Sequence, residues 1–264
     1  PVLIFPRAGK LIAQTNKSTI FLIVIKLLFK NADYFLCQGD NWKKFAIEKL
    51  EFNNKKVTII NNWTATDDLI KLGSVKNKFS SFDKMKLLFI GWVSKEKGII
   101  ELLDSIKNLK NKGYNINLSV LGNGKILEHS KKFVIDNGIT DNVSFKGWVS
   151  RVEMKKYLND SDIFVLPSWE EGMPNSLIEA LASGIPSIVT DVGVISNYVI
   201  NNKHALLIKP KDMNHLQNSI EKLILDSKLR KKLSKNGYLL AKNVFLTNDS
   251  LKKLSTILNQ LVLS

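Results

Sequence analysis

The chain has 264 residues, 44% hydrophobic and 24% charged, with 14 glycines, 6 prolines and a single cysteine. That balance excludes collagen-like, disulfide-scaffold and wholly disordered chains, and the length allows one large domain or two modest ones. The net charge of +15 suits anionic partners, yet the cations are almost all lysine: only Arg7, Arg151 and Arg230 are arginine, and no basic run is interleaved with aromatics. Because bidentate base recognition favours arginine and single-strand grooves favour aromatics, this pattern argues against nucleic acid. Cys37 has no second cysteine to pair with, which fits a reducing, cytoplasmic compartment.

The chain opens on an apolar run at residues 2–5, read as a strand whose upstream sequence is missing. Residues 19–29 form the main hydrophobic block; Lys26 interrupts it, and it falls short of the roughly 20 residues of a bilayer span. It reads as a helix, either buried or lying at a membrane interface. Further strand-length runs follow at 34–37, 57–60, 86–90, 116–121, 143–145, 163–166, 187–190 and 205–208. Helical periods lie between them at 42–50, 98–110, 125–137, 152–159, 176–183 and 212–225, and residues 227–263 read as two further helices. Such alternation predicts parallel sheets built from right-handed crossovers. The polar segment 63–83, without clear periodicity, reads as a connector between two α/β domains. The expected plan is an incomplete first domain (1–62), the connector (63–83), a complete second domain (84–243) and a C-terminal helix (244–264).

The segment carrying the chemistry runs from Val165 to Pro186: a buried strand, a polar loop, then a helix. Loops at the carboxyl ends of parallel strands are where open sheets bind ligands. Gly172 allows a ligand close to the backbone. Asn175 or Ser176 suits a helix N-cap, and the free amides there form an anion site. Glu171 and Glu179, at either end, can accept hydrogen bonds from the hydroxyls of a polyol or ribose. A structural alternative stands beside this one. Ser176 to Glu179 also spells a capping box, in which Glu179 would bond only the backbone, and Glu171 would be a solvated loop residue.

These residues resemble the E-x7-E region of retaining glycosyltransferases with the GT-B fold, specifically glycosyltransferase family 4 (glycosyl transferases group 1). Further segments resemble the same family in the same order: Phe89-Ile90-Gly91 with Glu96-Lys97-Gly98, Leu121 to Gly124, Phe145 to Val149, and Ser161 to Ser168. The resemblance implies two Rossmann-like domains with parallel sheets, the N-terminal one incomplete here. It also implies a nucleotide-diphosphate sugar donor, a glycan or lipid-linked hydroxyl acceptor, retention at the anomeric carbon, and no obligatory metal or cofactor. By the same resemblance, Glu171 would contact the transferred sugar, Glu179 the ribose and Lys97 the diphosphate. Backbone N–H groups from Met173 to Leu177, those of Asn175 and Ser176 included, would help hold the diphosphate, with Gly172 leading into them and Pro174, which has no N–H, shaping the turn. Gly91 would open the first loop, and Trp148 and Val149 would border the base.

Two positions depart from the family. Trp92 stands where an arginine commonly follows the glycine, with Arg7 or Lys10 as conceivable substitutes, and Gly193-Val194 and Asn197 replace a Gly-Gly pair and a later Glu. Asp160-Ser161-Asp162 is formally D-x-D but sits between a helix and a strand, where a turn role is expected. His129, His204 and His215 form no ligand spacing, and Gly122-Asn123-Gly124 lacks the rest of a dinucleotide fingerprint. The expected function is sugar transfer at the cytoplasmic side of a membrane, with peripheral association through the basic surface. The alternatives are a non-catalytic nucleotide-sugar-binding fragment, or a GT-B epimerase or phosphorylase.

Overall fold

The computed structural model describes residues 1–6, 10–76 and 84–263. Two parallel sheets form along the chain. The first has three strands in the order β1 (Leu3–Ile4), β2 (Tyr34–Cys37), β3 (Val57–Ile59). Two helices, α1 (Lys10–Lys17) and α2 (Thr19–Phe29), lead from β1 to β2, and α3 (Asp40–Glu48) leads from β2 to β3. The second sheet begins at β4 (Met85–Ile90), with β5 (Ile116–Leu121), β6 (Val143–Gly147), β7 (Ile163–Leu166), β8 (Ser187–Thr190) and β9 (Leu206–Ile208). Its spatial order is β6-β5-β4-β7-β8-β9, all parallel. The connecting helices are α5 (Ile99–Asn111), α6 (Leu127–Asp136), α7 (Arg151–Asp160) and α8 (Asn175–Ala182), followed after β9 by α9 (Met213–Leu225) and α10 (Ser227–Val244).

The central strands β7 and β8 are buried along their whole length, as expected where helices cover both faces of a parallel sheet. All nine strands expected from the sequence are present, within two residues at each end.

The stretch from 63 to 76 differs from the expected connector. It carries a helix, α4 (Asp67–Ser74), which packs against α8 and α10. Its pattern is hard to read because the helix is short, and Leu69 is its one buried residue. Tertiary packing, not local periodicity, supports it. Ala65 further pairs with Leu246 and accepts the Thr247 amide. The last helix, α11 (Thr247–Leu263), returns across the first sheet. Its Leu254, Ile257 and Leu261 pack with Leu36 and Ile60, while Phe35 and Cys37, on the opposite face of β2, join the main core. Burial pushes the Cys37 thiol up to about 12, which leaves it an unreactive core group.

Candidate active site

The order of the second sheet creates a crevice. From β4 the chain winds outward through β5 to β6, then crosses to β7 on the other side of β4 and winds outward again to β9. The carboxyl ends of β4 and β7 therefore flank a topological switch point, where α/β sheets bind ligands. Lys97 lies in the loop after β4, and Glu171 in the loop after β7.

The two side chains meet across that crevice. Lys97 Nζ donates to Glu171 Oε1 at 2.5 Å, and Ser168 Oγ donates to the same oxygen at 2.7 Å. The side chains are only 23% and 10% exposed. The loops are also tied by their backbones: Trp169 N–H donates to the Glu96 carbonyl at 2.7 Å, and the Trp169 indole N–H to Glu101 at 2.9 Å. Beneath Glu171 runs the loop after β8. Gly193 has φ +67°, and a Cβ there would lie 2.2 Å from the Glu171 carbonyl oxygen and 2.5 Å from that of Gly172. Val194 N–H donates to the Gly172 carbonyl. Gly193, the glycine kept beside the departures at Val194 and Asn197, thus seats the carboxylate loop, and only glycine fits there.

The capping box at Ser176 does not form. Pro174 occupies the N-cap with φ −70° and no side chain caps the helix, so Ser176 falls in the first turn and Glu179 in the second. Neither Asn175 nor Ser176 is the cap. The first amides of α8 keep no partner within the helix, and the positive end of its dipole faces the loop. Met173, Pro174 and Leu177 are buried, so they offer a ligand only their backbone. Glu179 is partly buried and its carboxyl makes no hydrogen bond among the described residues; burial pushes that carboxyl up to about 7, with Arg151 pulling the other way.

Arg151 opens α7, two residues after Val149. It donates to Thr66 Oγ1 at 2.8 Å and lies 3.7 Å from Asp68. Sequence reasoning passed over it, although it is one of three arginines and lies two residues past the Trp148-Val149 segment. Trp148 is exposed and Val149 partly buried at the end of β6, while Gly91 closes β4. Asn62 was also missed. Buried just after β3, it donates from Nδ2 to the Met173 carbonyl at 2.7 Å and the Asn175 Oδ1 at 2.9 Å, and accepts from Gln38 at 2.7 Å. The first sheet's end thus grips the start of α8. A polar residue closing an apolar strand was its only sequence signal.

Between the two sheets lies a cavity of about 600 Å³, with Ile12, Phe45, Lys44 and Lys49 on one wall and Glu171 and Val194 on the other. Arg7 lies outside the described residues, as does the side chain of Lys10. Asp162 is buried and accepts from the Lys86 amide at 2.9 Å, joining β7 to β4, a structural role.

Similarity to known proteins falls on this same framework. The family described as glycosyl transferases group 1 matches residues 74–240. Protein CapJ of Staphylococcus aureus is 30% identical over 220 residues, covering 81% of this chain and 49% of that protein. The capsular polysaccharide biosynthesis glycosyltransferase CapM, also of Staphylococcus aureus, is 32% identical over 181 residues, covering 67% of this chain and 46% of its own length. The chain thus spans about half of these relatives. Among solved structures, that of Anabaena Alr3699/HepE with UDP and glucose superposes with a TM-score of 0.79 at 16% identity, over 98% of this chain and 71% of that one. The matched residues contain β4 through α9 and every element that frames the crevice, so the chain belongs to the glycosyl transferases group 1 family.

Proposed function

We propose that this chain carries the donor side of a glycosyltransferase that moves a sugar from a nucleotide diphosphate to a hydroxyl of a glycan or lipid-linked acceptor, with retention at the anomeric carbon. The observation that carries this reading is the Lys97–Glu171 pair across the switch point, beside an uncapped helix start and the uncommitted Glu179 carboxyl. Departure of a nucleoside diphosphate leaves negative charge on the phosphates. Lys97 and the free amides at the start of α8 stabilise that charge as it develops. Glu171 then faces the sugar, where a carboxylate stabilises cationic character at the anomeric carbon. Glu179 accepts the two ribose hydroxyls, and Trp148 and Val149 border the base. In this scheme fixed cations and dipoles of the chain meet the leaving-group charge, and no metal or cofactor takes part. CapM is named for capsular polysaccharide biosynthesis and HepE was solved with UDP, which supports a UDP-linked donor and a surface-glycan acceptor.

Calorimetric titration of the chain with UDP, GDP and ADP tests the reading. One nucleotide should bind saturably and lose at least tenfold in affinity on Glu179→Ala. Absence of binding by all three would remove the donor-site assignment.

Among the described residues no helix is long and apolar enough to cross a membrane. We propose instead peripheral association with the cytoplasmic face of an anionic membrane through α2. Ile20, Ile23, Val24, Leu27 and Leu28 form an exposed stripe at helical spacing, with Lys17, Lys26 and Lys30 beside it. The chain should co-sediment with vesicles containing anionic lipid, and Leu27→Glu with Leu28→Glu should abolish this. Equal sedimentation of that double variant would refute it.

A further inference from the structure

Two Gly-Trp dipeptides end strands of the second sheet: Gly91-Trp92 follows β4 and Gly147-Trp148 closes β6. The strand between them, β5, ends at Leu121, and Gly122 follows with φ +130°. A Cβ on Gly122 would lie 2.0 Å from the Gly91 carbonyl oxygen, and the Gly122 amide donates to the Gly147 carbonyl at 2.7 Å. The three strand ends are drawn together so closely that the two indoles meet over β5. Their centroids are 5.4 Å apart at 89°, an edge-to-face pair.

These indoles are unlike the other three. Trp42 is buried, and Trp63 and Trp169 are partly buried, whereas Trp92 is 56% and Trp148 70% exposed. Neither exposed indole N–H has a hydrogen-bond partner among the described residues. Edge-to-face packing fixes each ring against the other and leaves a right-angled apolar corner open to solvent. Such a corner suits a flat ring, which stacks on one indole while its edge meets the other.

The position narrows the occupant. Lys97 lies in the same loop as Trp92, five residues on, and Arg151 lies three residues after Trp148 and acts on Glu179. The corner therefore adjoins the groups assigned above to diphosphate and ribose. We infer that Trp92 and Trp148 together form a stacking platform for the nucleobase of the donor, with Trp92 a binding residue in its own right. This rests on the donor-site reading. Affinity at the base end then comes from aromatic contact, which every nucleobase can make, rather than from hydrogen bonds to base edges. Discrimination between bases falls to the neighbouring backbone.

The test measures UDP, GDP and ADP affinity and tryptophan emission for the 264-residue chain and for Trp92→Ala, Trp92→Phe, Trp148→Ala and Glu179→Ala, with the melting temperature of each. Trp92→Ala should weaken the bound nucleotide about tenfold or more, as should Trp148→Ala. Trp92→Phe should restore most of the loss, and melting temperatures should stay unchanged because both side chains are exposed. Saturating nucleotide should quench tryptophan emission in the parent chain and much less in Trp92→Ala. Affinity of Trp92→Ala within twofold of the parent, or Trp92→Phe as weak as Trp92→Ala, would overturn the platform. If Glu179→Ala still abolished binding in that case, the donor-site reading would stand without it. Quenching by a glycan acceptor but by no nucleotide would overturn the platform by assigning the corner to the acceptor. Failure of the parent chain to bind any of the three nucleotides would overturn both readings.

Discussion

A Glu171→Gln chain is expected to bind nucleoside diphosphate more tightly than the parent yet transfer sugar at least 10²-fold more slowly. Lys97 is paired with Glu171 at 2.5 Å, so on the proposed function a diphosphate competes with that carboxylate for the ammonium. Removing the negative charge frees Lys97 for the phosphates of the proposed donor, but it also removes the group assigned above to the anomeric carbon. Lys97→Ala should instead lose both nucleotide affinity and turnover, with turnover falling about 10²–10³-fold, as for loss of one preorganised charge-stabilising group. The single substitutions also differ in stability. Lys97→Ala leaves a carboxylate only 10% exposed, held by Ser168 alone, and breaking a buried pair from one side costs about 3–5 kcal/mol. Glu171→Gln leaves a lysine that reaches solvent more easily and should cost less. The double variant should therefore melt above Lys97→Ala while remaining inactive. Denaturant melts with calorimetry and a transfer assay on each variant check this. Equal melting of Lys97→Ala and the parent would show that the pair carries little of the fold's stability. Full turnover by Glu171→Gln would remove Glu171 from the chemistry.

The second large effect is a pH dependence centred on Glu179. Its carboxyl is raised from 4.5 to about 7 by burial, so at pH 6 most of it is protonated and at pH 8 most is ionised. An ionised carboxylate accepts hydrogen bonds from two ribose hydroxyls better than the acid does. Nucleotide affinity should therefore rise between pH 6 and 8 beyond the dependence due to the phosphates themselves. Glu179→Gln keeps the phosphate contribution and should lose the rest, which makes it the control. Stability runs the opposite way. The folded chain holds this proton more tightly than the unfolded one, so stability falls as pH rises from about 4.5 to 7 and levels off above. At about 1.4 kcal/mol per pH unit, Glu179→Gln should be about 3 kcal/mol more stable than the parent at pH 8 and equal to it at pH 4. On the proposed function, the chain gives up stability at neutral pH to keep a desolvated carboxylate ready for the ribose. Identical unfolding curves for the two chains at pH 8 would contradict this account.

Much of this protein was legible in its amino-acid order. Nine apolar runs became nine strands because each is short, flanked by turn residues and separated by helical periods, and such runs have few other ways to bury themselves. The loop from Pro167 to Pro174 and the helix after it were equally visible, since proline, glycine and paired glutamates mark them locally. What the order of residues left open at this loop was the choice between capping and binding for Glu179. Local chemistry satisfies both, and only the helix start at Asn175, set by Pro174 at the cap, turns Glu179 away from the backbone. The α4 helix was illegible for a related reason: its stability comes from α8 and α10, which lie more than 100 residues away. The same holds for Asn62 at the Met173 carbonyl and for the charge of Arg151 acting on Glu179, both long-range interactions that no spacing encodes. Most telling are Trp92 and Trp148, 56 positions apart, which meet across strand ends that Gly122 lets come close together. Period and punctuation specify elements, since those depend on neighbours along the chain. Sites depend on which strand ends the sheet order brings side by side, and that is decided only when the sheet is assembled.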